Sequence, residues 1–216
     1  GIPIIGHQIN ALVDNNIFDV GVVLGYKANI LKKYLVKNHA NVNFSFYLNK
    51  NFKNSNSAYS FYVASDFIRD ESYIHLNCDI LFSKDLLRLI IESSKSNIMA
   101  VNFNQEVSNN MEIIETNKEN QIIRMDNMLF EGAMGKAYGL AKLSSESSYY
   151  ILNKLVKYHK VGDFNQNYYG IIRQAVNEIS YFAQDASGHF LSEVNTLKDL
   201  LNVKTFSKNN NNDKKI

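Results

Sequence analysis

The feature that most constrains this chain is an alternation of two periods. Short apolar runs of strand length, Asp19 to Tyr26, Val42 to Tyr47, Tyr73 to Leu76 and Ile98 to Phe103, are separated by stretches with helical spacing. Ile5, Ile9, Leu12 and Val13 keep that spacing ahead of the first run, and Leu31, Tyr34 and Leu35 keep it between Ala28 and Asn38. A further helix is expected from Ser57 through Phe67 and another from Ser83 to about Ser93. Strands that alternate with helices build βαβ units, which predicts a mostly parallel, mixed sheet covered on both faces, a three-layer α/β/α sandwich.

The second half is less regular. Met111 to Glu115 and Gln121 to Met125 read as a hairpin around Asn117 to Asn120, and Ala137 to Leu143 as one more strand. Ser144 to His159 and Asn167 to Glu178 have helical spacing, Ser180 to Gln184 and Phe190 to Val194 are strand-like, and Thr196 with Asp199 forms a capping box for a closing helix. One domain over residues 1–207 is expected, followed by a disordered polar tail over 208–216. Gly1-Ile2-Pro3-Ile4-Ile5 runs straight into a helical pattern, so the chain is expected to be truncated at its amino end.

Composition narrows the function. With 23 Lys and Arg against 21 Asp and Glu, the net charge is +2, and Lys208, Asp213, Lys214 and Lys215 in the tail account for that excess. The folded part lacks the basic stripe that drives phosphate-backbone binding, so no nucleic-acid partner is expected. No apolar stretch reaches bilayer length, and the single cysteine, Cys78, makes no internal bridge, so the expectation is a cytoplasmic protein without a membrane partner. His7, His39, His75, His159 and His189 share no metal-ligand spacing. Tyr149, Tyr150, Tyr158, Tyr168 and Tyr169 suit an aromatic cage for a quaternary ammonium, but helical core packing is the better reading.

In open α/β sheets ligands sit beyond the carboxyl ends of the strands, and Asp79 stands there, after Ile74-His75-Leu76 and before an expected turn at Ile80-Leu81-Phe82. A carboxylate in that place suits a hard cation that is also held by substrate phosphates; capping the turn is the plainer alternative. Glu193 and Asn195 share one face of the last strand, and spacing alone leaves open whether Glu193 meets Asp79.

Five patches occur in the order found in one family: Gly1 to Ile5, Val23-Leu24-Gly25-Tyr26-Lys27, the Asn- and Ser-rich segment Asn49 to Ala64, Ile74 to Phe82, and Glu193 to Leu200. Together they resemble sugar-phosphate nucleotidyltransferases, most of all the phosphocholine cytidylyltransferase branch. The resemblance implies a nucleotide-binding α/β sandwich that transfers a nucleoside monophosphate, with CTP the favoured donor, to a phosphorylated acceptor such as phosphocholine or a sugar phosphate, releasing pyrophosphate. It implies Mg²⁺ held by Asp79, Glu193 and Asn195, with Asp79 catalytic. Nucleotide contacts are implied at Asn56, Ser60, Asn77 and Asp79, and acceptor contacts at Lys136, Tyr138 and Gly139.

The chain also departs from that pattern. The glycine-rich phosphate loop is not in it, which implies that this chain alone is inactive; Asn195 stands where the family has an aspartate, and Asn127 and Lys136 replace further family residues. Two alternatives therefore stay open. One is a non-catalytic nucleotide-binding or interaction domain; the other is a GT-A-like glycosyltransferase, whose D-x-D signature would need an aspartate in place of Asn77.

Overall fold

The structure, a computed structural model, describes residues 1–68 and 71–203. The expected tail at 208–216, and the end of the expected domain at 207, lie outside the described residues. In chain order the elements are α1 (Ile4–Asp14), β1 (Asp19–Leu24), α2 (Ala28–Asn38), β2 (Asn43–Leu48), α3 (Ser57–Val63), α4 (Ser65–Ile68), β3 (Tyr73–Leu76), β4 (Ile80–Phe82) and α5 (Lys84–Glu92). Then follow β5 (Ile98–Asn102), β6 (Ile113–Thr116), β7 (Ile122–Asp126), β8 (Gly135–Leu143), α6 (Ser145–Lys160), α7 (Tyr168–Ala175), β9 (Phe182–Asp185) and β10 (Leu191–Glu193). A last helix covers 197–203.

The protein is a three-layer α/β/α sandwich around a mixed sheet. The main sheet runs β7-β6-β8-β5-β9, and β3 joins it along β8. β3, β5 and β6 are all antiparallel to β8, and β9 is parallel to β5, so four of the six strands share one direction. β1 and β2 form a separate parallel pair in register from Asp19↔Asn43 to Leu24↔Leu48. The segment expected as a turn at Ile80 to Phe82 is instead a short strand that pairs antiparallel with β10. Its three residues carry no period of their own, and only the distant partner makes them extended.

β5 shows why helices cover both faces. Ile98 and Ala100 belong to one core with α1, α2 and α5, whereas Met99 and Val101 belong to the other with α3, α6 and α7. That alternation is the strand period of two, with both faces buried. The helix starts follow the capping chemistry of the sequence: Ser83, Ser144 and Asn167 each accept a hydrogen bond from a backbone N–H in the first turn. α3 is capped by Asn56, while the Ser57 hydroxyl accepts from Tyr168 N at 2.9 Å.

β3 and β8 approach closely where the site begins. Asn77 N donates to Gly139 O at 2.8 Å, and a Cβ at position 139 would stand 2.2 Å from Asn77 Cγ. Gly139 thus makes room for the Asn77 side chain. Gly139→Ala is expected to force the two strands apart, costing about 1–3 kcal/mol as overpacking does. Urea unfolding would read the loss, and an unchanged midpoint would show that Asn77 rotates away freely.

Candidate functional site

Asp79 lies on the turn between β3 and β4, and that turn is clamped from two sides. Gln8 of α1 is buried, and its Nε2 donates to Asn77 O at 2.7 Å and to Ile80 O at 2.9 Å. From the opposite end of the chain, Val194 N donates to Asp79 O at 2.8 Å, continuing the β4–β10 register Glu193↔Ile80. This pairing brings Glu193 beside Asp79. Gln8 was not picked out by the sequence reading, although a glutamine among Ile5, Ile9 and Leu12 on an apolar helix face is a local signal.

The charges at this point are coupled. Asp79 Oδ1 is buried and has no hydrogen-bond partner among the described residues. Burial pushes the Asp79 carboxyl above its usual range; nearby Glu193 adds to the rise, while a backbone hydrogen bond and Lys136 oppose it. Lys136 Nζ pairs with Glu193 Oε2 at 2.7 Å and lies 4.5 Å from the centroid of the Tyr138 ring, two positions along the same face of β8. Asn195 Nδ2 donates to the same Glu193 oxygen at 3.3 Å. Burial and the negative charge of Glu193 push the Tyr138 phenol up. A second pair, Arg173 to Glu112 at 2.8 Å, stands nearby, close enough for Glu112 and Glu193 to interact. Sequence reasoning missed it, because no local pattern links residues so far apart.

A cleft of about 1110 Å³ adjoins this cluster and brings Asn56, Ser60, Asn77 and Asp79 together on its wall. Lys136, Tyr138, Gly139, Glu193 and Asn195 do not line it. Gly139 is buried behind Asn77, and Tyr138 is tied at its carbonyl, which accepts from Tyr169 Oη at 2.8 Å. Asn56 Oδ1 accepts from Ser57 N, and Ser60 Oγ accepts from the buried Asn49 at 3.1 Å. Cys78 is exposed in the turn.

His75 supports the turn from below. Its ring stacks on Tyr168 at 4.1 Å and 12°, and its Nε2 bonds Asn77 Oδ1 at 3.1 Å. Enclosure lowers its pKa to about 4, against the opposing effect of the Asn77 bond. The tyrosines considered for a cage do not converge: Tyr168 and Tyr169 are buried in the core, whereas Tyr149 is 68% exposed.

Two outcomes follow. Gln8→Leu keeps the apolar packing but removes both donors to the Asp79 turn; a loss of about 1–3 kcal/mol in denaturant unfolding is expected, and full retention would show that water replaces the clamp. The lowered pKa of His75 lets the unfolded chain take up a proton first, so stability falls as pH drops from about 6.5 toward 4. His75→Phe should flatten that part of the profile by roughly 2 kcal/mol, and an unaltered slope would assign the acid loss to other groups.

No protein-family model matches the chain, and no curated protein matches it by sequence. Solved structures do. The inositol-1-phosphate CTP transferase from T. maritima superposes with a TM-score of 0.72 at 14% identity, over 91% of this chain and 78% of that one. The CTP:phosphocholine cytidylyltransferase from Streptococcus pneumoniae gives 0.70 at 15% identity, over 94% and 85%. A Bacillus anthracis protein assigned as a glucose-1-phosphate thymidylyltransferase, in complex with sucrose, gives 0.71 at 13% identity, over 95% and 84%. This chain has the α/β fold of these nucleotidyltransferases.

Proposed function

We propose that this protein is a cytoplasmic nucleotidyltransferase that passes a nucleoside monophosphate, CMP from CTP in the favoured case, to a phosphorylated small molecule such as phosphocholine or a sugar phosphate. The observation that carries the reading is the meeting of Asp79 and Glu193 at the carboxyl end of β3, beside a large cleft, on this fold.

The donor set fits Mg²⁺. Asp79 offers an orphaned oxygen and Glu193 a second carboxylate. Among the described residues no group of three or more His, Cys, Asp or Glu converges, which suits a hard cation completed by substrate phosphates better than a closed protein cage. When bound, such an ion supplies charge neutralisation at the reacting phosphate. The chain's own groups supply position. The Asn56 side-chain amide and the Ser60 hydroxyl proton remain able to donate to a base edge, since the bonds they make use Oδ1 and Oγ as acceptors. Lys136, if released from Glu193, would offer an ammonium to an acceptor phosphate, with the Tyr138 ring 4.5 Å from it.

A second reading is favoured by one observation. Lys136 holds Glu193 in a close ion pair, and Asn195 adds an amide where a charged ligand would serve a metal better. A domain that binds nucleotide without turnover would keep this arrangement.

Pyrophosphate release from CTP, assayed with this protein and phosphocholine or sugar phosphates, separates the two. Asp79→Asn should lower turnover by about 10²-fold or more, the scale of a lost electrostatic contact to the reacting group. Turnover equal to the parent would remove Asp79 from the mechanism. The same variant should be more stable than the parent at neutral pH by about 0.5 kcal/mol, allowing for solvent screening of a half-exposed group, because a carboxyl raised by burial disfavours the ionised fold. The difference should vanish on acidification through the carboxylate range. Lys136→Met separates the roles of the lysine: a raised acceptor KM with kcat kept marks acceptor binding, whereas tighter Mg²⁺ binding by calorimetry marks a lysine that competes with the metal.

A further inference from the structure

The near-neutral charge of the whole chain hides a segregation. From Val20 to Ser65 there is no Asp or Glu, and there are six lysines, Lys27, Lys32, Lys33, Lys37, Lys50 and Lys53. The rest of the chain carries 17 Lys and Arg against 21 Asp and Glu. The acid-free stretch runs from β1 through α2 and β2 to the end of α3. All six lysines are exposed, and among the described residues none is in an ion pair. The expected absence of a basic patch therefore fails at this corner.

The same unit ends in an open ladder. Among the described residues β2 pairs only with β1. Asn43 N donates to Phe18 O and Asn49 N to Leu24 O, so the odd-numbered residues of β2 turn their N–H groups toward β1. Alternation turns those of Phe44, Phe46 and Leu48 outward, where among the described residues no backbone group meets them. The strand itself, Asn43-Phe44-Ser45-Phe46-Tyr47-Leu48, holds no charged side chain. Lys32 Nζ stands 4.9 Å from the centroid of the Phe46 ring, and Lys50 and Lys53 follow the strand. Asp19 lies at the other end, where its Oδ1 accepts from Asn43 Nδ2 at 3.1 Å, so the positive charge weighs on the carboxyl half of β2.

We propose that the outer edge of β2 takes up an extended, acidic segment of another protein as an added strand, about six residues long to match β2. The open ladder selects polypeptide, because neither a lipid surface nor a nucleic acid offers a matching row of N–H and C=O groups. The lysines select acid. Phe44 and Phe46, half-buried with ring centroids 5.5 Å apart, offer one face of the added strand an apolar surface. Alternate residues of the segment are therefore apolar and the others acidic.

Charge also rules against the nearer candidates. A second copy paired edge to edge would set six lysines against six, and like charges across a ladder are destabilising. The residues after 203 carry four lysines and one aspartate, which excludes that segment on the same ground. Lysines beside an edge strand are a common guard against self-pairing. Here the guard leaves an opposite-charge strand as the one the edge accepts.

Fluorescence anisotropy with a dye-labelled Glu-Val-Glu-Val-Glu-Val peptide tests this without nucleotide, independently of any catalytic role. The peptide should bind, and more weakly as salt rises. Two further peptides, N-methylated at the three valines or at the three glutamates, keep the charge and lose the donors of one edge. One of the two should bind about 10-fold more weakly, the scale of a lost hydrogen bond. Leu48→Pro removes one outward N–H at an exposed edge position and should cost a similar factor. Lys32→Glu, Lys50→Glu and Lys53→Glu combined, with an unchanged circular dichroism spectrum, should turn the preference toward a Lys-Val-Lys-Val-Lys-Val peptide. The proposal is overturned if the acidic peptide does not bind, or if its binding ignores both N-methylation and Leu48→Pro, which would leave a bare electrostatic patch. It is equally overturned if an RNA oligonucleotide or phosphatidylserine vesicles bind more tightly than the peptide, or if the protein self-associates through this edge.

Discussion

Antiparallel pairing between β4 and β10, three residues on each side, holds the chemistry of this protein in place. Without it, Asp79 and Glu193 are far apart in the sequence and share no surface. The register Glu193↔Ile80, extended by the bond from Val194 N to Asp79 O, sets the two carboxylates side by side. Gln8 reaches the same turn from α1 and satisfies two carbonyls that the turn leaves over. Two acids forced together in a half-buried place repel each other, and one lysine offsets only part of that charge. The cluster is thus short of positive charge, which is the ground on which a bound cation is proposed.

Lys136 is the residue on which the two functional readings divide. A lysine is a compact point charge on a flexible stem, able to leave one carboxylate for a phosphate without loss of its own hydrogen-bonding capacity. Its side chain is 13% exposed, and the Tyr138 ring lies along its course. That placement serves a group that moves between partners. It equally serves one that permanently neutralises Glu193, and the chemistry of the two cases differs only in what else competes for that carboxylate.

Much of the fold was readable because each local signal had a local cause. Ser83, Ser144 and Asn167 cap helices through bonds within one turn, Thr196 and Asp199 form the expected reciprocal pair, and the hairpin closes on Asn120 with φ 59°. What stayed hidden depends on partners far along the chain. Ile80 to Phe82 is extended only because β10 arrives beside it. The Arg173–Glu112 pair joins two ordinary surface-type residues that tertiary packing half-encloses. Asp79 and Glu193 could each be placed on a strand from sequence, yet that the two meet was implied only by the family resemblance, since no period reports which distant segments pair.

The separate pair β1–β2 has a consequence for how the molecule comes apart. Among the described residues no backbone ladder ties these strands to the main sheet, so the unit β1-α2-β2 is held to the remainder by side-chain packing, with Val22, Leu24 and Leu35 in one core and Tyr47 against Phe67 on the other side. Regions of one structure open with different free energies. On heating, the protein should release this corner before the rest, and its calorimetric trace would show a shoulder ahead of the main peak. The large groove beside it is where that loosening would start.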